Sequence, residues 1–76
     1  MGNYKLNDML KKEYIEIVGI CERIYKEKKQ AGQVLDYLSD CFYHTLSSKE
    51  TANSDFLLAI YELEKYYFNI YKKELK

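Results

Sequence analysis

The chain has 76 residues, with twelve basic and twelve acidic side chains, nine tyrosines, two cysteines and no proline. This balance of charge creates no bulk field that would draw the protein to nucleic acid or anionic lipid, so we expect no nucleic-acid partner. A chain of this length forms one small domain, residues 1–76, and its core leaves it only marginally stable.

No stretch approaches the roughly 18 consecutive apolar residues of a membrane-spanning helix. The first residues also lack the basic stretch and unbroken apolar run of a secretory signal peptide. We therefore expect a cytoplasmic protein that does not span the membrane. Cys21 and Cys41 have no CxxC or Cys/His ligand spacing, so we expect both to be reduced, unpaired packing residues.

The first predicted helix covers approximately residues 4 to 31. Apolar side chains recur there in steps of four and three, which is the repeat of one helix face: Leu10, Tyr14, Ile17, Cys21 and Ile24. Lysines follow in the last turn, where their positive charges interact favourably with the negative, C-terminal end of the helix dipole. We expect Gly32 to end this helix as a left-handed cap, because glycine has no Cβ to clash there.

Two further helices are predicted, near residues 33 to 47 and 54 to 74, with a polar loop between them. The second has the apolar stripe Val34, Leu35, Leu38, Cys41, Phe42, Thr45 and Leu46, and the opposite polar side Asp36, Tyr37, Asp40 and His44. The third has the stripe Phe56, Ile60, Leu63, Tyr67 and Ile70. Short connections place sequential helices antiparallel, so we predict an all-α, up-down-up bundle of three helices.

The third helix has a second apolar row, about 100 to 140° around the helix from its core stripe. Its members are Leu57, Tyr61, Phe68 and Leu75. One interpretation is that the other two helices bury this row as part of a wide core arc. The other is that the row stays open and meets a protein partner or a second copy of the chain in a homodimer.

The residues offer no catalytic constellation, and we predict a protein that is not an enzyme and needs no cofactor or metal. His44 is the only histidine and falls on a polar helix side, one turn from Asp40. Ser39 has no adjacent base in a recognisable signature, and the three glycines stand apart from one another. The density of tyrosines instead favours a protein-binding face, since tyrosine is enriched where proteins bind proteins.

Two segments carry a resemblance to a known family. The stretch VLDYLS (34–39) resembles the Val-Leu-x-x-Leu-Ser turn of the enterocin A immunity-like family, the immunity proteins for pediocin-like bacteriocins. As in that family, a helix ending in Lys/Glu-rich residues precedes this turn. A polar loop and a helix with an Ile/Leu-Tyr-x-Leu element follow it, here AIYEL (59–63). The resemblance spans about residues 13 to 68, and family members are antiparallel four-helix bundles, of which this chain would be a shortened relative.

The resemblance implies a cytoplasmic, non-enzymatic protein that protects a bacteriocin producer. Family members associate at the membrane with the mannose phosphotransferase receptor once the toxin has engaged it. Toxin discrimination there is attributed to the C-terminal half, and from this and the second apolar row we predict a partner-binding site at Leu57, Tyr61, Phe68, Tyr71, Lys72 and Leu75. The alternative is a phage- or mobile-element-encoded helical regulator that binds another host protein.

A second resemblance concerns an enzyme class. Small sporulation phosphatases that act on aspartyl phosphate are helical hairpins with a Ser-x-x-x-Asp element in their second helix. In this chain Ser39 is followed by Tyr43 at the position of that aspartate. The residue that would carry the chemistry is therefore replaced, and the sequence does not favour this activity.

Overall fold

The computed structural model describes residues 8–48 and 54–75, and nearly all of them lie in three α-helices. The helices are α1 (Asp8–Lys28), α2 (Ala31–Ser47) and α3 (Ser54–Glu74). This confirms the predicted all-α class, the number of helices, the end of α2 and both limits of α3. The predicted start of the first helix near residue 4 lies outside the described residues.

Contacts between helix ends establish the up-down-up arrangement. Glu74, in the last turn of α3, accepts a hydrogen bond from the backbone N–H of Ala31, the first residue of α2, at 3.0 Å. The hydroxyl of Tyr25, near the end of α1, donates to the same carboxylate at 3.3 Å. The ends of α1 and α3 and the start of α2 therefore meet, so α2 runs antiparallel to its two neighbours. The contact between α2 and α3 is the most extensive and that between α1 and α3 the least.

The core consists mainly of the three predicted stripes. Its most deeply buried large side chains come from all three helices: Leu10, Cys21, Val34, Leu38, Phe56 and Ile60. Tyr67 of the α3 stripe is buried as well. Two positions differ from the prediction. Tyr37, expected on the polar side of α2, is half-buried against the core. Leu46, expected in the core, is half-exposed near the end of α2.

The prediction that Gly32 ends the first helix is wrong. The helix ends at Lys28, three residues before the predicted limit, and Lys29 takes the left-handed conformation with φ 55°. Its N–H donates to the carbonyl of Tyr25 at 2.8 Å, which closes the final turn. A left-handed lysine costs about 1–2 kcal/mol relative to a right-handed one. This earlier turn lets α2 begin at Ala31, two residues before its predicted start.

Gly32 instead lies within the first turn of α2 and serves a close approach between helices. A Cβ added at this position would lie 3.3 Å from Cε1 of Tyr71 in α3, closer than most such contacts. The absence of a side chain lets the tyrosine ring pack directly against the α2 backbone. Glycine is therefore used here for its small volume, since its φ is not positive.

The start of α2 lacks a cap from its own sequence. Gln30 occupies the N-cap position without a side-chain hydrogen bond, and the first turn contains no acidic residue. Both carboxylate oxygens of Glu74 lie within 3.3 Å of the Ala31 nitrogen. The carboxylate accepts a hydrogen bond from a backbone N–H that would otherwise lack a partner within the helix. Its negative charge also interacts favourably with the positive, N-terminal end of the α2 dipole. The cap of α2 is thus supplied by α3, 43 residues further along the chain.

We expect Glu74→Ala to lower the free energy of unfolding by about 1 kcal/mol, the typical effect of losing a helix N-cap. Urea unfolding should show a lower midpoint with an unchanged slope. Glu62→Ala is the matched control, because it removes an exposed acidic residue from the same helix and should change stability by less than about 0.5 kcal/mol. Equal losses in the two variants would contradict the assigned cap.

Candidate protein-binding surface

Most of the second apolar row of α3 is exposed. Tyr61 is 52% exposed, Phe68 49% and Leu75 69%, whereas Leu57 is half-buried. The other two helices therefore do not bury this row. Residues on the same side of α3 contact α2, as the approach of Tyr71 to Gly32 shows. The exposed row consequently lies along the side of α3 next to α2.

Two lysines accompany the two exposed rings of this row. The Nζ of Lys72 lies 5.4 Å from the centre of the Phe68 ring, and the Nζ of Lys65 lies 6.0 Å from that of Tyr61. Each lysine follows its ring by four residues, so each pair occupies adjacent turns. The attraction of the cations for the ring faces holds positive charge beside the apolar row.

Tyr71 has a structural as well as a surface role. Its ring is half-buried, belongs to the side chains that pack against the core, and contacts Gly32. The Phe68 ring lies beside it, with 6.4 Å between the ring centres. The Phe68 ring therefore packs against Tyr71, whose own position is fixed by its contacts between α2 and α3.

The exposed row is part of a longer seam that includes one acidic residue. Positions 57, 61, 64, 68, 71 and 75 follow steps of four and three without interruption, as in a coiled-coil heptad repeat. We call these residues the outer seam: Leu57, Tyr61, Glu64, Phe68, Tyr71 and Leu75. It extends about 27 Å at 1.5 Å per residue.

Glu64, at the middle of the outer seam, is half-buried. Burial raises the pKa of its carboxyl above the ordinary value. It forms no hydrogen bond or ion pair with any residue in the two described parts of the chain. Sequence reasoning missed Glu64 and Lys65 because it chose the row by its apolar positions and added Lys72 as the one charged residue at its end. The uninterrupted four-three spacing was the signal that would have included Glu64.

The same face continues onto α2. Leu35 lines a surface depression together with Tyr71 and Leu75, so the two helices share apolar surface at this end. Phe42 and Leu46 follow Leu35 at helical spacing, and they are half-buried and half-exposed respectively. The outer seam thus borders, at its C-terminal end, a depression between α2 and α3 whose other lining residues are polar or charged: Lys29, Gln30, Gln33, Asp36 and Glu74.

A second groove lies between α1 and α3, where the helices are least closely packed. Apolar and tyrosine side chains line it, with Glu22 and Lys26 at its edge: Val18, Tyr25, Leu63, Tyr66, Tyr67 and Ile70. The Tyr66 and Tyr67 rings meet edge to face with centres 5.1 Å apart, and those of Tyr25 and Tyr67 are 6.1 Å apart. The three tyrosine rings of this groove therefore contact one another.

The remaining residues weighed from the sequence lie on the surface or in the core. His44 and Ser39 are exposed on α2. Within residues 8–48 and 54–75, no group of three histidine, cysteine or acidic side chains could hold a metal ion. No helix in this part of the chain is long and apolar enough to cross a bilayer.

Cys21 and Cys41 are free thiols close to two tyrosines. Burial raises the pKa of Cys21 to about 12, with smaller contributions from Cys41 and Glu22. Burial likewise raises the pKa of Tyr67 to about 12, and it raises the pKa of Tyr37, which also hydrogen-bonds to Cys41. The pKa of Cys41 is raised by burial as well, against the effect of that hydrogen bond. The folded chain therefore holds all four groups in their protonated forms.

These raised pKa values predict a loss of stability at alkaline pH. Free thiols and phenols ionise at 9.0 and 10.0, so the unfolded chain releases protons that the folded chain retains. Stability should be complete below about pH 8 and should fall as the pH rises from 9 toward 12. Urea unfolding between pH 8 and 10.5 measures this fall. Tyr67→Phe should make the fall less steep, and a stability that rises over this range would contradict the assignment.

No protein-family model, curated protein or solved structure matches the chain.

Two phenylalanines of α3 test whether the outer seam is open in solution. Phe56 is 1% exposed, and Phe56→Ala should cost about 3–5 kcal/mol of unfolding free energy, as for other buried aromatic residues. Phe68 is half-exposed, and Phe68→Ala should cost about 1 kcal/mol, because half of a buried side chain's transfer energy is lost.

Urea unfolding at several protein concentrations makes this comparison. Similar losses in the two variants would show that Phe68 is covered in solution. A loss that grows with concentration would identify a second copy of the chain as the cover.

Proposed function

We propose that this chain is a non-enzymatic protein-binding protein that acts through the outer seam of α3. The observation that carries the proposal is the exposure of Tyr61 and Phe68 in a continuous apolar row with lysines at its edge. Aromatic anchors surrounded by charged residues are typical of surfaces that bind other proteins. A small chain whose core is already complete gains nothing for its own folding from exposing such rings.

The biological role that we propose is bacteriocin immunity, on the basis of the resemblance to the enterocin A immunity-like family. Val34 and Leu38 of the VLDYLS segment are buried, as are Ala59 and Ile60 of AIYEL. Tyr61 and Glu62 of the second segment are exposed, and Tyr61 belongs to the outer seam. The resembling segments thus contribute mainly to the core, and one of them also contributes to the proposed binding surface.

In this role the protein acts in the cytoplasm and associates peripherally with the membrane through a protein receptor. The receptor implied by the resemblance is the mannose phosphotransferase after a bacteriocin has engaged it. The apolar row would contact the receptor complex, while Lys72 and Lys65 lie at the edge of that contact. Binding of this kind needs no catalysis, since occupation of the receptor complex is sufficient for protection.

Expression in a strain sensitive to pediocin-like bacteriocins tests this role. The wild-type chain should raise the toxin concentration that is needed to stop growth. The double variant Tyr61→Ala/Phe68→Ala should lose this protection while it remains folded, because both side chains are about half-exposed. Ile15→Ala is the matched control, since Ile15 is 68% exposed on α1, outside the outer seam.

Immunoblotting should show equal amounts of the three proteins in the cells, so that a loss of protection reflects a loss of binding. An absence of protection by the wild-type chain against every pediocin-like toxin would refute the immunity role. Protection that survives in the double variant would instead show that another surface is used.

A further inference from the structure

The outer seam has the spacing that another helix requires. Its six residues recur in steps of four and three over about 27 Å, which is the repeat by which helices interlock in coiled coils and bundles. The two exposed rings, Tyr61 and Phe68, are seven residues apart, and so are the lysines beside them. A strand or an irregular segment would not match a seven-residue repeat of both apolar and charged groups. The outer seam therefore fits the apolar face of one helix.

The charges along the seam specify this helix further. Glu64 lies at the centre of the apolar row, is half-buried, and has no charged or hydrogen-bonding partner in the described residues. A helix docked on the seam would remove more water from this carboxylate, and a basic side chain facing it would offset that cost most strongly. Lys65 and Lys72 lie along the edge, where acidic side chains of a docked helix would meet them.

We propose that the outer seam binds one amphipathic helix of a partner protein, which has a basic residue opposite Glu64 and acidic residues beside Lys65 and Lys72. The inference rests on the proposed binding function and names the chemistry of the partner at that same site. With this helix in place, the three helices of the chain become part of a four-helix arrangement. The apolar residues of the partner helix would cover Tyr61, Phe68 and Leu75.

A second copy of the chain is a poorer match to this pattern of charge. If two outer seams pack antiparallel about their centres, Glu64 of one copy faces Phe68 of the other, and the lysines of both copies share one side. This pairing buries an unpaired carboxylate and brings like charges together. The described part of α2, residues 31–48, contains no lysine or arginine that could face Glu64 instead.

Four synthetic helical peptides test the proposal by fluorescence anisotropy at low salt. All four have the same apolar heptad positions, and they differ only in a central residue, Lys or Glu, and in the edge residues, Glu or Lys. The peptide with central Lys and edge Glu should bind the full chain at least about tenfold more tightly than the peptide with both charges reversed. Equal affinity for all four peptides, or no binding by any of them, overturns the proposal.

Substitutions that change the charges of the outer seam and its edge should change which of the four peptides binds most tightly. Glu64→Gln should remove the preference for a central Lys, and Glu64→Lys should reverse it. Lys65→Glu/Lys72→Glu should reverse the preference at the edge. Glu62→Lys and Lys73→Glu are the matched controls, because these exposed residues lie on other sides of α3 and should leave all four affinities unchanged. Circular dichroism establishes that each variant is folded.

Two further measurements separate the remaining outcomes. Sedimentation that shows a dimer of the wild-type chain and a monomer of Phe68→Glu would assign the seam to a second copy and overturn the proposal. If the four peptides bind with equal affinity while Tyr61→Ala/Phe68→Ala loses cellular protection, the proposed charge pattern of the partner helix is overturned. That result would still support binding through the outer seam. Correct preferences without any cellular protection would support the partner chemistry and refute the immunity role.

Discussion

The small size of the interior is the constraint on which the rest of this structure depends. Three helices of about twenty residues enclose one stripe from each, and Phe56, Ile60 and Tyr67 complete the contribution of α3. A second apolar seam on α3 cannot enter the same interior, because the two seams face different directions around the helix. The exposure of Tyr61 and Phe68 follows from this geometry and not from loose packing of the core. The exposed part of the outer seam is therefore a consequence of how many apolar residues α3 has.

Much of the fold could be predicted from spacing alone. The four-three repeats identified three helices and most of the core, because burial of one face is what stabilises such short helices. The end of α1 could not be predicted, since Gly32 is a strong local signal for a cap. The structure places the left-handed residue at Lys29 and uses Gly32 to admit Tyr71. That choice depends on a contact with a residue almost forty positions away, which no local rule contains.

The apolar members of the candidate site and Lys72 could be predicted from the sequence, but Glu64 and Lys65 could not. Leu57, Tyr61, Phe68 and Leu75 stand out by residue type and spacing, whereas Glu64 at the same spacing has a side chain that normally lies in solvent. Its partial burial depends on the neighbouring side chains of the folded bundle. The packing of Tyr71 also could not be predicted from the sequence, because its ring both borders the surface and packs on the α2 backbone at Gly32. What binds a surface depends on a second molecule, so the residues of this chain alone could not identify it.

The carboxylate that caps α2 has a consequence for the order of folding events. Glu74 is separated from Ala31 by 43 residues and from Tyr25 by 49, so both hydrogen bonds close long loops. The entropy of loop closure must be overcome before these bonds can form, which makes them late contacts. Interactions that are absent from the transition state act on the rate of unfolding and leave the rate of folding nearly unchanged. We therefore expect the hydrogen bonds of Glu74 to act mainly by slowing unfolding, and the apolar stripes of the helices to have the larger effect on the rate of folding.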